Sequence, residues 1–290
     1  MDFYLAALLQ GLCFSGLALG IYLSMTIFNI PDITTDGSYT FGAVTAGVLL
    51  SQHVPLYLII VLVLFAGALA GTATALIHTK LKINPLLAGI LVMTALYSVN
   101  LKILGRSNLP LLNVKTLFDT VSLSANSNVN TLYVLAGMVL LLLLLLSYVL
   151  RTDFGIAMRA TGNSENMVRA LGVNTRYMKV IGLAMANALT ALSGCLMVQL
   201  QGFADINMGI GIVITGLGSV IIGESLVAVL AIRSIPLNLL IVLAGAIIFQ
   251  FVLAFTLSIG VDATLLKLVT AVFVLLIVGL PRLSFKQSDD

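Results

Sequence analysis

Nineteen consecutive residues, Leu132 to Leu150, contain no charged side chain, and a run of that length and character limits what the chain can become. Each helical residue rises about 1.5 Å and the hydrocarbon core of a bilayer is about 30 Å thick, so some 20 apolar residues cross it with every backbone group paired inside the helix. Five further runs are comparably apolar, one of them with Lys102 near its end: Tyr4 to Phe28, Leu56 to His78, Pro85 to Leu104, Val180 to Leu200 and Pro236 to Ser258. Ala263 to Leu280 makes a seventh, with Lys267 near enough to its end to snorkel to the interface. Two shorter pieces, Tyr39 to Leu50 and Met208 to Ile222, are Gly-rich and thin for a lipid-facing span, and they are expected to lie against other helices. The charged fraction of 9% settles the class, because soluble proteins carry roughly 25%. The reading is an all-α polytopic membrane protein, one domain over residues 1–290, with about nine spans in a range of about eight to ten.

Lys and Arg mark the side of the membrane a loop occupies, because basic loops are retained in the cytoplasm. The polar island Arg151 to Lys179 (RTDFGIAMRATGNSENMVRALGVNTRYMK) holds five of the 14 basic residues and is placed inside. That choice puts Gly105 to Asn130, with Asn108, Asn113, Asn126, Asn128 and Asn130, outside, and the turn with Lys80 and Lys82 inside. Carried to the ends, Arg233, Arg282, Lys286 and the C-terminus fall inside, while the N-terminus, with Asp2 and no basic residue, falls outside. Ten of the 14 basic residues are then cytoplasmic, with Lys102, Arg106, Lys115 and Lys267 as exceptions. The net charge of +3 therefore speaks of topology rather than of nucleic acid. The first run has neither a basic flank nor a small-residue cleavage site, so it reads as a retained helix and not a signal peptide.

Residues 1–130 and 180–290 read as the halves of a weak repeat on either side of the 151–179 island. Asp32 in NIPDITTDGS answers Asp205 in GFADINMGIG, each ahead of a short Gly-rich run. Downstream, AGA at Ala66 to Ala68 answers AGA at Ala244 to Ala246, and Leu86-Leu87 answers Leu265-Leu266. With the orientation above, the halves cross the membrane in opposite directions, an arrangement transporters build around a midplane path.

No G-x-x-x-x-G-K-[ST] occurs, so the chain supplies no nucleotide-binding loop of its own. His53 and His78 are the only histidines and no H-E-x-x-H is present, which removes the ligands of a metalloprotease. No Ser or His sits in a recognisable protease motif either. Cys13 and Cys195 lie within apolar runs without metal-ligand spacing and read as buried small hydrophobes. These absences point to moving a solute rather than converting one, with no cofactor or metal held on this chain.

Within the island, Ser164 is a candidate N-cap, Glu165 and Asn166 fill the first turn, and Gly172 closes a helix of about two turns. Met167, Val168, Ala170 and Leu171 are expected to give it apolar contacts, while Glu165 and Arg169 can pair at i, i+4. Such an element reads either as a capped helix lying on the membrane surface or as a docking part.

The run TDFGIAMRATGNSENMVRALGV, with FNIPDITTDGSYTFGA, KINPLLAGILVMTALYSVNLKILG and GFADINMGIGIVITGLGSVIIGE, resembles the bacterial ABC-importer permeases of the branched-chain amino acid and ribose type. Within that group it is most similar to the subfamily linked to tryptophan or tyrosine uptake. The resemblance covers nearly the whole chain, and NSENMVRALGV and PDITTDGS are its most specific blocks. It implies a permease in the bacterial cytoplasmic (inner) membrane that works as a homodimer, with a second permease copy, or as a pseudo-dimer. It also implies a pair of ABC ATPase subunits that hold ATP and Mg, and an extracytoplasmic binding protein that hands over a small solute, with an aromatic amino acid favoured. Carried over residue by residue, Gly162, Asn163, Ser164, Glu165, Asn166, Arg169, Ala170, Leu171 and Gly172 would form the cytoplasmic coupling helix and its caps. The alternative is a stand-alone secondary transporter or channel for a small organic solute, which would place an ion-coupling carboxylate deep in a span.

The translocation path is expected among Asp32, Thr35, Asp36, Asn100, Asp205, Asn207 and Glu224, because polar groups inside a membrane are retained for a task. Asp32 and Asp205 fit helix capping as well. Asn100, Gln199, Gln201 and Gln250 fit either a path or hydrogen bonding between helices. Gly16 with Gly20, and Gly67 with Gly71, have the small-xxx-small spacing for close helix approach, toward a dimer partner or within the bundle.

Overall fold

In the computed structural model, which describes residues 2–112, 114–122, 124, 126–232 and 234–285, the apolar runs become helices with starts and stops that the sequence supplies. The first run is α1 (Asp2–Cys13), α2 (Ser15–Ile21) and a π-helical segment, Tyr22–Ile27. Then come α3 (Thr34–Ser51), α4 (Leu56–Leu81), α5 (Pro85–Leu104), β1 (Asn108–Pro110), α6 (Leu117–Thr120) and α7 (Ser127–Arg151). The island folds as α8 (Asp153–Asn163) and α9 (Glu165–Ala170), followed by α10 (Thr175–Gln201), β2 (Phe203–Asp205), α11 (Ile212–Val229), α12 (Ile235–Ser258) and α13 (Leu266–Phe285). Asn113, Arg233 and Lys286, placed above from the charge pattern, lie outside the described residues. Among the described residues seven helices are long and apolar enough to cross a membrane, against the nine or so expected. The difference is α3, which is largely buried inside the protein, and α13, whose described apolar stretch Leu266–Ile277 is short.

Local chemistry sets the ends. Asn84 accepts from Leu86 N–H at 2.9 Å and Pro85 occupies the first helical position, so α5 starts there. Asn174 does the same for α10, accepting from Tyr177 N–H at 3.2 Å, and Gly202 ends it with φ +75°. The short runs shift from their expected bounds. Tyr39 to Leu50 extends back to Thr34 because Asp32 Oδ1 accepts from Thr34 N–H and starts the turn. Met208 to Ile222 becomes Ile212–Val229 because residues 206–211 are taken up by turns.

α10 is the hub, with 67% of its most apolar window buried against 22% for α7. It packs on α2, α3 and α4. Gly16 and Gly20 of α2, and Gly67 and Gly71 of α4, all face it: a side chain at any of them would collide with the carbonyl oxygens of Leu189, Ala186, Asn187 or Leu183. The small-residue pairs therefore serve the bundle's own packing. α7 is peripheral: Leu135, Val139, Leu143, Leu146 and Leu150 form its inward stripe, while Leu140, Leu141, Leu144, Leu145 and Tyr148 face outward, as lipid contact requires.

The connections sort onto two faces. β1 and β2 pair antiparallel, Asn108 opposite Asp205 and Pro110 opposite Phe203, which joins the 105–126 connection to 202–211. On the opposite face, Asn29 Nδ2 donates to the Gly162 carbonyl at 3.2 Å, and His78 and Lys82 share a pocket with Glu165 and Arg176. Helix starts at Thr34, Leu56 and Pro85 recur at Ile212, Ile235 and Leu266, offsets of 178, 179 and 181 residues. α1 and α2 pack on α12, while α10 packs on α4.

Candidate functional site

The 151–179 segment is more built than a single turn. Thr152 Oγ1 accepts from Gly155 N–H at 3.4 Å and starts α8, and Arg159 folds back to donate to the carbonyls of Gly155 and Leu150. Gly162 lies against the Ile27 carbonyl with no room for a side chain, so α8 docks on the end of the first span. α9 follows and closes as a Schellman motif: Gly172 N–H donates to Arg169 O at 3.0 Å, Val173 N–H donates to Val168 O at 3.3 Å, and Gly172 has φ +84°. Ser164 occupies the N-cap with extended backbone, yet its hydroxyl makes no capping bond.

The brace comes from Glu165 instead. Its carboxylate accepts from Arg169 at 2.7 Å, as the i, i+4 spacing implied, and also from Lys179 Nζ at 2.6 Å and Thr175 Oγ1 at 3.1 Å. The Lys179 hydrogen bond, aided by the charges of Lys179 and Arg169, holds the Glu165 carboxyl below the usual carboxylate range. Thr175 and Lys179 were not singled out from the sequence, because nothing local says that residues 10 and 14 positions away will fold back. Of the four apolar residues expected to give contacts, Val168 alone is buried; Met167 and Leu171 are 59% and 73% exposed. Asn163, Ser164, Asn166, Arg169, Ala170 and Gly172 are exposed alongside them.

The polar residues of the expected path divide into three groups rather than one site. Asp32 is fully buried: Thr34 N–H donates to Oδ1 at 2.9 Å and Asn187 Nδ2 to Oδ2 at 2.7 Å. Ser38 donates to Asn187 Oδ1 at 2.6 Å, the Thr34 and Thr74 hydroxyls pair at 2.6 Å, and Thr35 donates to the Asp32 carbonyl. Asn187 stands about 18 Å from the start of α10 and about 21 Å from its end, so this network lies near the middle of the membrane. Four residues on, Asp36 accepts from the N–H groups of Gly211 at 2.9 Å and Val213 at 2.8 Å. α3 and α11 thus begin side by side at this depth, with Asp36 satisfying the free N–H groups of α11. Asn100 is 1% exposed, its Oδ1 has no partner, and it lines a cavity of ≈ 30 Å³ with Asp36, Thr40 and Tyr97. That space suits about one water, not an organic solute.

Asp205 and Asn207 lie at the β-ladder face, where Asp205 Oδ1 accepts from Asn207 N–H at 2.7 Å and Oδ2 from Asn108 at 3.3 Å. They shape a turn. Glu224 lies near the opposite face, with Tyr22. Gln199 is helix glue: its Oε1 accepts from Leu117 N–H at 2.8 Å and pins α6 to α10. Asn187, Ser38 and Thr74 were missed. A polar residue in the middle of the longest span was the available signal for Asn187.

Residues 3–279 match the family described as branched-chain amino acid transport system, permease component. A tyrosine transport system permease protein of Clostridioides difficile is 35% identical over 100% of this chain and 95% of that protein. An uncharacterised protein of Rickettsia prowazekii is 33% identical over 94% of this chain and 95% of that protein. An autoinducer 2 import system permease protein of Yersinia pestis is 25% identical over 71% of this chain and 58% of that protein. No solved structure matches the chain.

Proposed function

This chain belongs to the family of branched-chain amino acid transport system permease components, and from that premise we propose that it is the membrane subunit of an ATP-driven importer. It works in the bacterial cytoplasmic membrane as a homodimer, with a pair of ATPase subunits on the 151–179 face and a solute-binding protein on the β-ladder face. The solute is an amino acid, and the full-length likeness to a tyrosine permease favours an aromatic one. The observation that carries the reading is α9, a short closed helix braced by Glu165 that turns Met167 and Leu171 outward. A rigid element transmits the displacement of a partner, whereas a loose loop absorbs it. The matched offsets of the helix starts, and the two helices that begin together at midplane depth, support an inverted repeat around the path.

A stand-alone secondary transporter would share one feature, the deep carboxylate of Asp32. Both oxygens of that carboxylate are occupied by Thr34 and Asn187, which suits a fixed joint better than an ion-coupling site. Expression with its neighbouring ATPase separates the two readings. Co-purification of the ATPase, lost on charge reversal at Glu165, and uptake that requires ATP support the importer. Uptake driven by an ion gradient without an ATPase would sink it.

A further inference from the structure

A second polar pocket opens toward the 151–179 face, away from the midplane network. Tyr22 and Thr26, one turn apart on the π-helical segment, face Glu224, Val227 and Ala228 of α11 and Asn238 and Val242 of α12 across a cavity of ≈ 270 Å³. π-Helical turns are uncommon and recur at functional sites, because the widened turn re-aims side chains. Here the turn ends with Phe28 N–H donating to Leu23 O at 3.1 Å.

The walls hold an unpaired carboxylate and an orphaned acceptor. Glu224 makes no hydrogen bond or ion pair among the described residues. Asn238 Oδ1 is buried with no partner among the described residues. The hydroxyls of Tyr22 and Thr26, each able to accept as well as donate, line the same cavity. The cation within electrostatic reach of Tyr22 is Arg159, whose guanidinium donates to the carbonyls of Gly155 and Leu150. A carboxylate half-buried among apolar walls is costly without a counter-charge, and an orphaned acceptor beside it adds to that cost. One group answers both needs: a primary ammonium carries a positive charge and three N–H donors.

We propose that the Tyr22, Thr26, Glu224 and Asn238 pocket is an ammonium-binding site on the release side of the path, which holds the amine of the solute after it passes the midplane. The identity of the amine rests on the reading of this chain as an amino acid importer; the site itself does not.

Charge-selective labelling of the full chain in nanodiscs tests it. Cys13 and Cys195 are both 0% exposed, so a thiol introduced by Thr26→Cys is the accessible one. Aminoethyl methanethiosulfonate should outpace the anionic sulfonatoethyl reagent by about tenfold beyond their ratio on a free thiol, and Glu224→Gln should bring that excess to within about twofold. If Thr26→Cys does not fold, Ala228→Cys on the exposed wall carries the same comparison. An excess that Glu224→Gln leaves intact, or a thiol that neither reagent reaches, overturns the site. In proteoliposomes with the ATPase and binding protein, Glu224→Gln should lower L-tyrosine uptake about tenfold while ATP hydrolysis persists. Unchanged uptake overturns the assignment to the path. Failure of the unsubstituted complex to take up tyrosine counts against the importer reading, and the labelling result stands apart from it.

Discussion

Truncating both outward-facing side chains of α9, Met167→Ala with Leu171→Ala, should weaken the ATPase without weakening the permease. Full burial of a Met or Leu side chain contributes about 1.5–3 kcal/mol. With 59% and 73% of these residues exposed, docking has most of that still to gain, or about 1–2 kcal/mol each. After the ordering costs of association, the pair should contribute about 2–3 kcal/mol, a roughly 30- to 150-fold change in Kd. Titration of the ATPase against permease in nanodiscs measures it directly. The thermal midpoint of the isolated permease should hardly move, because neither side chain is buried in it. Val168→Ala gives the reverse pattern, since Val168 is 2% exposed and its truncation should cost the permease about 1–3 kcal/mol. An unchanged Kd for the double variant, with ATP hydrolysis still stimulated by loaded binding protein, would refute the assignment of α9 as the docking element.

Asn187→Ala leaves the Asp32 carboxylate with Thr34 as its remaining partner, and thermal unfolding in detergent should register a loss of about 3 kcal/mol; Asn100→Ala, whose Oδ1 lacks a partner among the described residues, should cost clearly less. Gly42→Val drives a side chain into the Ala191 backbone and should cost about 3 kcal/mol or prevent assembly, whereas Gly137→Ala, with open space around it, should be neutral or stabilising by up to about 1 kcal/mol, as read from the same melts. Because the Glu165 pKa is lowered on folding, its contribution is present above the ordinary carboxylate pKa of about 4.3 and is lost as pH falls through the lowered value. Amide protection factors over residues 164–173, taken relative to the intrinsic exchange rate at each pH, should therefore hold steady from about pH 7 to about pH 5, fall only at more acid pH, and lose that dependence in Glu165→Gln.

Periodicity and charge made the bundle legible because they are local. Hydrophobic length located the spans, Gly172 announced the end of α9, and the spacing of Glu165 and Arg169 announced one ion pair. What the sequence hid is long-range. Asp32 meets Asn187 across 155 residues and Asp36 meets Val213 across 177. The acids looked like one cluster, and the structure places them in three settings: Asp32 and Asp36 join helices, Asp205 makes a turn, and Glu224 has no ion pair among the described residues. The apolar residues of α9 misled for a related reason. Periodicity shows that a face is apolar but not whether the chain or a partner covers it. α8 went unread because Arg159 and Thr161 within it weaken the apolar stripe that marks a helix.

The midplane joint and the 151–179 element are connected by two short routes, each a hydrogen-bonded contact followed by a stretch of chain. One runs from Gly162, which accepts from Asn29, along three residues to Asp32. The other runs from Glu165, which accepts from Thr175 and Lys179 in the first turns of α10, along that helix to Asn187. The two ends of these routes are the two partners of one buried hydrogen bond. A push that moved α8 and α9 as one body would shift both partners together and keep the bond. A push that tilted α9 against α8 would move Asn187 relative to Asp32 and load the bond directly. α8 and α9 meet at Ser164, where φ is −154° and the side chain makes no capping bond, so this is the junction about which such a tilt would turn.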